Sequence, residues 1–326
     1  MVRIKNLLIL ILTMLCIFTN AKEKVIISTD IGSDVDDTYA IVLALKSPEL
    51  EVKAITTVYG DTVLRAKIVY KLLKLMNNSD VPVYAGRRLP LTSYLTGNKE
   101  IWLTGHEGEG ILTEEDLKIP VPSKDAVDAI VEQVMENPGE ITLISIGPLT
   151  NIAAAIIAKP EITNKIKRIV MMGGVAHIFN ESNLDLPPVE HNVHCDPLAA
   201  AIVFGSGIPI TMIGANVTLN VPINDHILNE IKKKSTSLTN VLARLTEIWW
   251  EFLGQRISHL HDALPVAFCV DPSIFELVKC DVSILLDGEM AGATLVTPDD
   301  QSHIEVAKSV DVSKFMDFFL KRICDQ

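Results

Sequence analysis

Short apolar runs alternate with amphipathic stretches of helical period along most of the chain, and this alternation predicts an α/β domain built on a mostly parallel sheet. The runs Val25 to Thr29, Val52 to Val58, Ile141 to Ile146, Arg168 to Met172 and Ile208 to Ile213 read as strands. Several are β-branched and apolar at successive positions, as strands covered on both faces should be. Helices are expected at Asp37 to Leu45, Thr62 to Met76, Ala126 to Met135, Leu149 to Ala158 and Pro197 to Phe204. A longer helical block, Leu238 to Val270, is interrupted near Ser258 and precedes a short run of strands between Val282 and Val306. The expected fold is an open, Rossmann-like sheet flanked by helices, with a small extra strand region near the C terminus.

Two segments break the alternation. Gly86 to Gly110 and Ala176 to His194 are long for connections in a compact domain, and such loops tend to cover or bind ligands. No repeat and no Pro/Gly/Ser linker divides the chain, so residues 22–326 read as one domain. The first 21 residues differ: Arg3 and Lys5 precede an apolar run from Leu7 to Phe18 that is short for a membrane span, and Thr19-Asn20-Ala21 offers a small-residue cleavage site. This pattern predicts a signal peptide cleaved after Ala21, and hence a secreted protein, extracellular or periplasmic, with no stable membrane association afterwards.

The composition, 48% hydrophobic and 21% charged, suits a globular core and argues against disorder. A formal net charge of -12 leaves no basic field for a phosphate backbone, so nucleic acid is not an expected partner. Cys195, Cys269, Cys280 and Cys324 show no zinc-site spacing and read as buried apolar residues, with a Cys280 to Cys324 bridge the one pairing considered.

The sharpest chemical signal is Thr29 to Asp37, which places four carboxylates, Asp30, Asp34, Asp36 and Asp37, within eight residues at the end of the first predicted strand. Carboxylates this crowded raise one another's pKa unless a cation compensates, and a hard ion that accepts several oxygens, such as calcium, suits them. The competing reading is an acidic cap on the helix that follows. The carboxyl edge of an early strand, where open α/β sheets bind ligands, favours a site. The run lacks the downstream Glu and preceding helix of an EF-hand, and it holds no glycine-rich phosphate cradle.

This segment resembles the acidic signature of the inosine-uridine-preferring nucleoside hydrolases. Further landmarks follow in that family's order: Thr56-Thr57-Val58-Tyr59-Gly60, Ile146 to Asn151, Met172-Gly173-Gly174, Glu190-His191-Asn192, His261-Asp262 and Val270-Asp271-Pro272. The resemblance implies calcium-dependent hydrolysis of the N-glycosidic bond of ribonucleosides, purine or pyrimidine, to free base and ribose. It implies that Asp30, Asp37, Asp262 and the backbone carbonyl of Ile146 ligate calcium, and that Asp30 takes a proton from the metal-bound water. Asp36, Asp61, Met172, Asn183, Glu190 and Asn192 would meet the substrate, the carboxylates stabilising the positive charge that builds on the ribose as the bond breaks. His261 would protonate the departing base, with His259 structural. Family members are commonly dimers or tetramers, so a homo-oligomer is implied.

The sequence also departs from the family pattern. Its acidic segment is two residues longer between Asp30 and the final pair than the commoner form, so Asp36-Asp37 is aligned with that pair and Asp34 becomes an additional contact. Asp61 stands where many members carry Asn, Asn180 competes with Asn183 for the ribose, and Trp102, Trp249 or Trp250 could stack on a base. Two other readings use the same residues: a secreted nucleoside- or sugar-binding protein on this fold, and a hydrolase of another N-riboside such as nicotinamide riboside.

Overall fold

The computed structural model describes residues 21–96 and 107–324, so the signal-peptide reading of the first residues and Trp102 lie outside the described residues. Eleven strands are described: β1 (Glu23–Thr29), β2 (Leu50–Thr57), β3 (Val83–Ala85), β4 (Ile141–Ser145), β5 (Arg168–Met172), β6 (Ile210–Ile213), β7 (Pro222–Asn224), β8 (Ile257–His259), β9 (Phe275–Ile284), β10 (Thr294–Pro298) and β11 (Ile304–Val310). Nine form one sheet in the order β10-β9-β11-β6-β5-β4-β1-β2-β3. From β3 to β11 the neighbours run parallel, whereas β9 and β10 are added antiparallel at the far edge. The expected α/β class and the extra C-terminal strands are both present.

Alternation along the central strands sends side chains to two apolar layers. Val25, Ile27, Ile55, Ile144 and Val170 join the helices Asp36–Leu45, Thr62–Leu75, Ser237–Leu253, Ala263–Val270 and Val312–Cys324. Ile26, Ala54, Leu143, Ile169 and Met212 face the helices Ala126–Glu136, Thr150–Ala158 and Pro197–Phe204 on the other side. The sheet is covered on both faces, which is why its strands read as continuous apolar runs.

Three expectations about elements need correction. The block read as helix from Leu238 to Val270 is two helices, Ser237–Leu253 and Ala263–Val270, separated by β8, which pairs with β7 in a small antiparallel ribbon. Gly254 ends the first helix at φ +66, a left-handed cap that glycine adopts without strain. His261 therefore precedes a helix instead of lying within one, and His259 ends a strand. The C-terminal strand region opens at Phe275, ahead of Val282, and the three-residue β3 has too little pattern to be legible. None of the four cysteines among the described residues is in a disulfide, so no Cys280 to Cys324 bridge forms. Among the described residues no helix is long and apolar enough to cross a membrane.

Candidate active site

The chain runs outward from β1 to β2 and β3, then returns to place β4 on the other side of β1. At such a reversal the loops leaving neighbouring strands diverge and open a crevice at their carboxyl ends. Asp30 follows β1 and Ile146 follows β4, so the longest-range step in the topology brings the acidic segment to the Ile146 carbonyl. The Ile146 amide donates to the Ser28 carbonyl at 2.8 Å, continuing the ladder one residue past the strand. Gly147 is needed here, since a Cβ would come within 2.7 Å of Asp30 Oδ1 and 2.9 Å of its amide nitrogen.

Asp36 and Asp37 open the helix Asp36–Leu45, while Asp262 lies just before the helix Ala263–Val270 that packs against it. The Asp262 amide donates to Asp36 Oδ2 at 3.3 Å, and the Thr29 hydroxyl donates to Asp37 Oδ1. Asp36, Asp37 and Asp262 each offer an oxygen within 4.8 Å of the others, and all three are buried. Asp30 lies outside this tight trio but lines the same cavity of about 980 Å³, along with Asp34, Ile146, Met172, Glu190, Asn192 and His261.

The electrostatics are those of a site short of positive charge. Burial raises the Asp30 carboxyl, opposed by the Arg65 and His191 charges. Burial, then repulsion from neighbouring aspartates, holds Asp36, Asp37 and Asp262 well above the usual carboxylate range. Asp34, half-buried on the cavity wall, is pushed up to about 8 by desolvation and by the charges of Asp37 and Asp30. A donor set of clustered, dehydrated carboxylates beside a strand-end carbonyl fits a divalent ion that takes oxygen ligands, which would restore all of them to the ionised form.

The remaining predicted residues fall into two groups. Glu190 lines the cavity but spends both oxygens on backbone, accepting from the amides of Asn192 at 2.7 Å, Gly174 at 2.9 Å and Val193 at 3.2 Å. It caps the short helix His191–Cys195 and so fixes Asn192, whose amide nitrogen donates to the Met172 carbonyl at 3.3 Å and reaches the Ile146 carbonyl at 3.5 Å. Asp61 is exposed and accepts from the Leu64 amide at 3.0 Å as the cap of the helix Thr62–Leu75; it does not line the cavity. Asn183 is likewise exposed and off the cavity wall, and Asn180 closes its own loop by bonding both ways to Leu184. Neither asparagine lines the cavity; the loop turns at Asn183 (φ +49), and its lining begins two residues later at Asp185.

His261 lines the cavity with Nδ1 2.6 Å from the Thr218 hydroxyl. Desolvation, reinforced by the neighbouring His259, lowers its pKa to about 3, so the ring rests neutral near neutral pH, away from the titration near the working pH expected of it as a proton donor. If Thr218 donates to Nδ1, the neutral ring keeps an Nε2–H donor. Of the tryptophans described, Trp249 lines the cavity and stacks on Phe252 at 5.2 Å and 14°, whereas Trp250 bonds to Ser258 at 3.2 Å and is not on the wall.

Two residues escaped the sequence reading. His191 lines the cavity with Nε2 3.9 Å from Asp30 Oδ2; its place between Glu190 and Asn192 was the available signal. Arg65 is fully buried beneath the acidic segment, and its spacing to Ile68, Val69 and Leu72 puts it on the apolar stripe of its helix, where a charge needs a reason.

Comparison with known proteins agrees with this geometry. The family profile described as inosine-uridine preferring nucleoside hydrolase matches residues 25–317. The chain is 32% identical to uridine nucleosidase 1 of Arabidopsis thaliana, covering 91% of each chain. It is also 32% identical to the pyrimidine-specific ribonucleoside hydrolase RihA of Photobacterium profundum, covering 93% of this chain and 99% of that protein. Among solved structures, the purine-preferring ribonucleoside hydrolase from Gardnerella vaginalis is 31% identical with a TM-score of 0.80, covering 92% of this chain and 98% of that one. A plant nucleoside hydrolase, PpNRh1, superposes with the same TM-score of 0.80 at 29% identity, covering 94% and 100%. The chain belongs to the inosine-uridine preferring nucleoside hydrolase family and is a hydrolase of N-glycosyl compounds.

Proposed function

We propose that this protein hydrolyses ribonucleosides to free base and ribose with calcium as its metal, and that it does so outside the cytoplasm after loss of residues 1–21. The observation that carries the catalytic reading is the meeting of Asp30, Asp36, Asp37 and Asp262 with the Ile146 carbonyl at one crevice of the sheet. Asp30, Asp37, Asp262 and the Ile146 carbonyl would hold the ion. Bound there, calcium supplies Lewis acidity toward a water molecule and a grip on vicinal hydroxyls.

The chain's own groups do the rest. Asp30 accepts the proton of the attacking water, and Asp36 accepts hydrogen bonds from the ribose hydroxyls beside Asp37 and Asp262. Asn192, fixed by the Glu190 cap and with its side-chain N–H groups on the Met172 and Ile146 carbonyls, offers its side-chain oxygen to the ribose. The buried carboxylates stabilise oxocarbenium character more than the neutral ground state. His261 offers a hydrogen bond from neutral Nε2–H to the leaving base, which takes its proton from solvent, and Trp249 with Phe252 forms an apolar wall for its ring. A homo-oligomer is the expected assembly.

The test is base release from inosine, guanosine, adenosine, uridine and cytidine by the mature protein, with and without chelator. Release that stops on chelation and returns with calcium supports the reading, and return with other divalent ions but not calcium would change the metal. Tight binding of intact nucleoside without release would move the protein to the binding class.

A further inference from the structure

We infer that Arg65, with Ser33 and Glu107, is a positioning clamp that sets the register of the lengthened acidic loop and thereby assembles the metal-binding carboxylates. The inference rests on the calcium reading above. Arg65 has no exposed surface, and its guanidinium lies under the turn that joins Asp30 to Asp36. One terminal nitrogen donates to the Ile31 carbonyl at 2.8 Å and the other to the Ser33 hydroxyl at 3.0 Å.

Glu107 closes the clamp from a different part of the chain. Its carboxylate is 3.6 Å from the guanidinium and accepts from the Ser33 hydroxyl at 3.3 Å, while its amide donates to the Gly32 carbonyl at 2.7 Å. Ile31, Gly32 and Ser33 are thus each tied by a polar contact to Arg65 or Glu107. The turn passes through Gly32 at φ +114, a conformation that side chains resist, so it needs such ties to stay single-valued. A fork with fixed donor geometry does this better than a lysine, whose ammonium is a point charge on a flexible stem.

Charge and geometry act in opposite directions here, which makes the role testable. A cation beside a metal site repels the metal, so removing it should tighten calcium binding if the carboxylates stay in place. Weaker binding after its removal therefore reports lost positioning. Arg65→Lys, Arg65→Met and Ser33→Ala are compared with wild type by thermal unfolding in chelator, by calcium calorimetry and by turnover at saturating calcium.

The expected result is that folded Arg65→Lys and Arg65→Met bind calcium at least about tenfold more weakly, the scale of a lost charge-assisted hydrogen bond, with Ser33→Ala intermediate. Folded Arg65 variants with unchanged or tighter calcium binding overturn the clamp. If neither Arg65 variant folds, Ser33→Ala decides alone: weakened binding supports the clamp and unchanged binding overturns it. Wild-type protein that binds calcium but releases no base would defeat the hydrolase reading and leave the clamp standing, and wild-type protein that binds no calcium would defeat both.

Discussion

Asp30 occupies a position that only a small set of residues could fill, between the Gly147 backbone on one side and the His191 imidazole on the other. Replacing it with Asn keeps the shape and removes the proton acceptor, so Asp30→Asn should stay folded and lose at least about a thousandfold in kcat, the upper range for a general base. A near-normal rate in a folded variant would remove Asp30 from that role. His261 makes a different demand, because a neutral donor helps only when the leaving group needs help. His261→Ala should slow inosine or uridine far more than a nitrophenyl riboside, and equal losses on both would take the leaving-group role away from it.

The raised carboxylates also set a sign for stability against pH. A group whose pKa is higher folded than unfolded keeps its proton in the native state while the unfolded chain releases it, so stability falls as pH rises between the two values. For Asp34 that window runs from about 4 in the unfolded chain to about 8 in the metal-free fold. Melting temperature in chelator should therefore decline through this range, calcium should flatten the decline, and Asp34→Asn should remove part of it. A chelator profile that climbs steadily with pH across the window would contradict the burial of this cluster.

At the level of elements, the site depends on strand ends and helix starts meeting at the reversal between β1 and β4. Gly147→Ala tests that meeting, since the added methyl cannot fit beside Asp30 without moving backbone. The expected cost is about 1–3 kcal/mol of stability from overpacking and a fall in kcat on the order of a hundredfold from displacing the base by about 1 Å. Normal turnover would mean the β4 turn is more yielding than its contacts suggest. The short helix His191–Cys195 matters for a related reason: Glu190 holds its first turn, so the cap and Asn192 move together.

For the molecule as a whole, the sheet is one continuous platform, and one of its two apolar layers holds both the helix that opens with Asp36 and Asp37 and the helix that Asp262 precedes. Calcium that binds the folded carboxylates and not the unfolded chain should raise the melting temperature with the logarithm of its concentration once that exceeds Kd. No shift at millimolar calcium would argue for another ion. On the proposal that residues 1–21 are removed on export, expression of the full chain should yield a secreted protein beginning at Lys22, which mass spectrometry would read directly, and a retained chain with an intact start would overturn it.

Much of this was legible in residue order, and the reason is local. Strands covered on both faces must be apolar throughout, and crowded carboxylates at a strand end announce themselves in a single turn, so the sheet and Asp30, Asp36 and Asp37 could be named from local pattern, whereas Asp262, over two hundred residues away, was reached only through the family resemblance. Tertiary structure decided what depends on partners distant in sequence. It converted a long helical block into two helices and a ribbon strand, because β7 was there to pair with β8. It turned Asp61 and Asn183 away from the cavity and committed Glu190 to backbone amides. It also lowered the His261 pKa by burial, and it placed Arg65 under the acidic loop, where Ile31, Ser33 and Glu107 satisfy a charge that the helix pattern alone would leave unexplained.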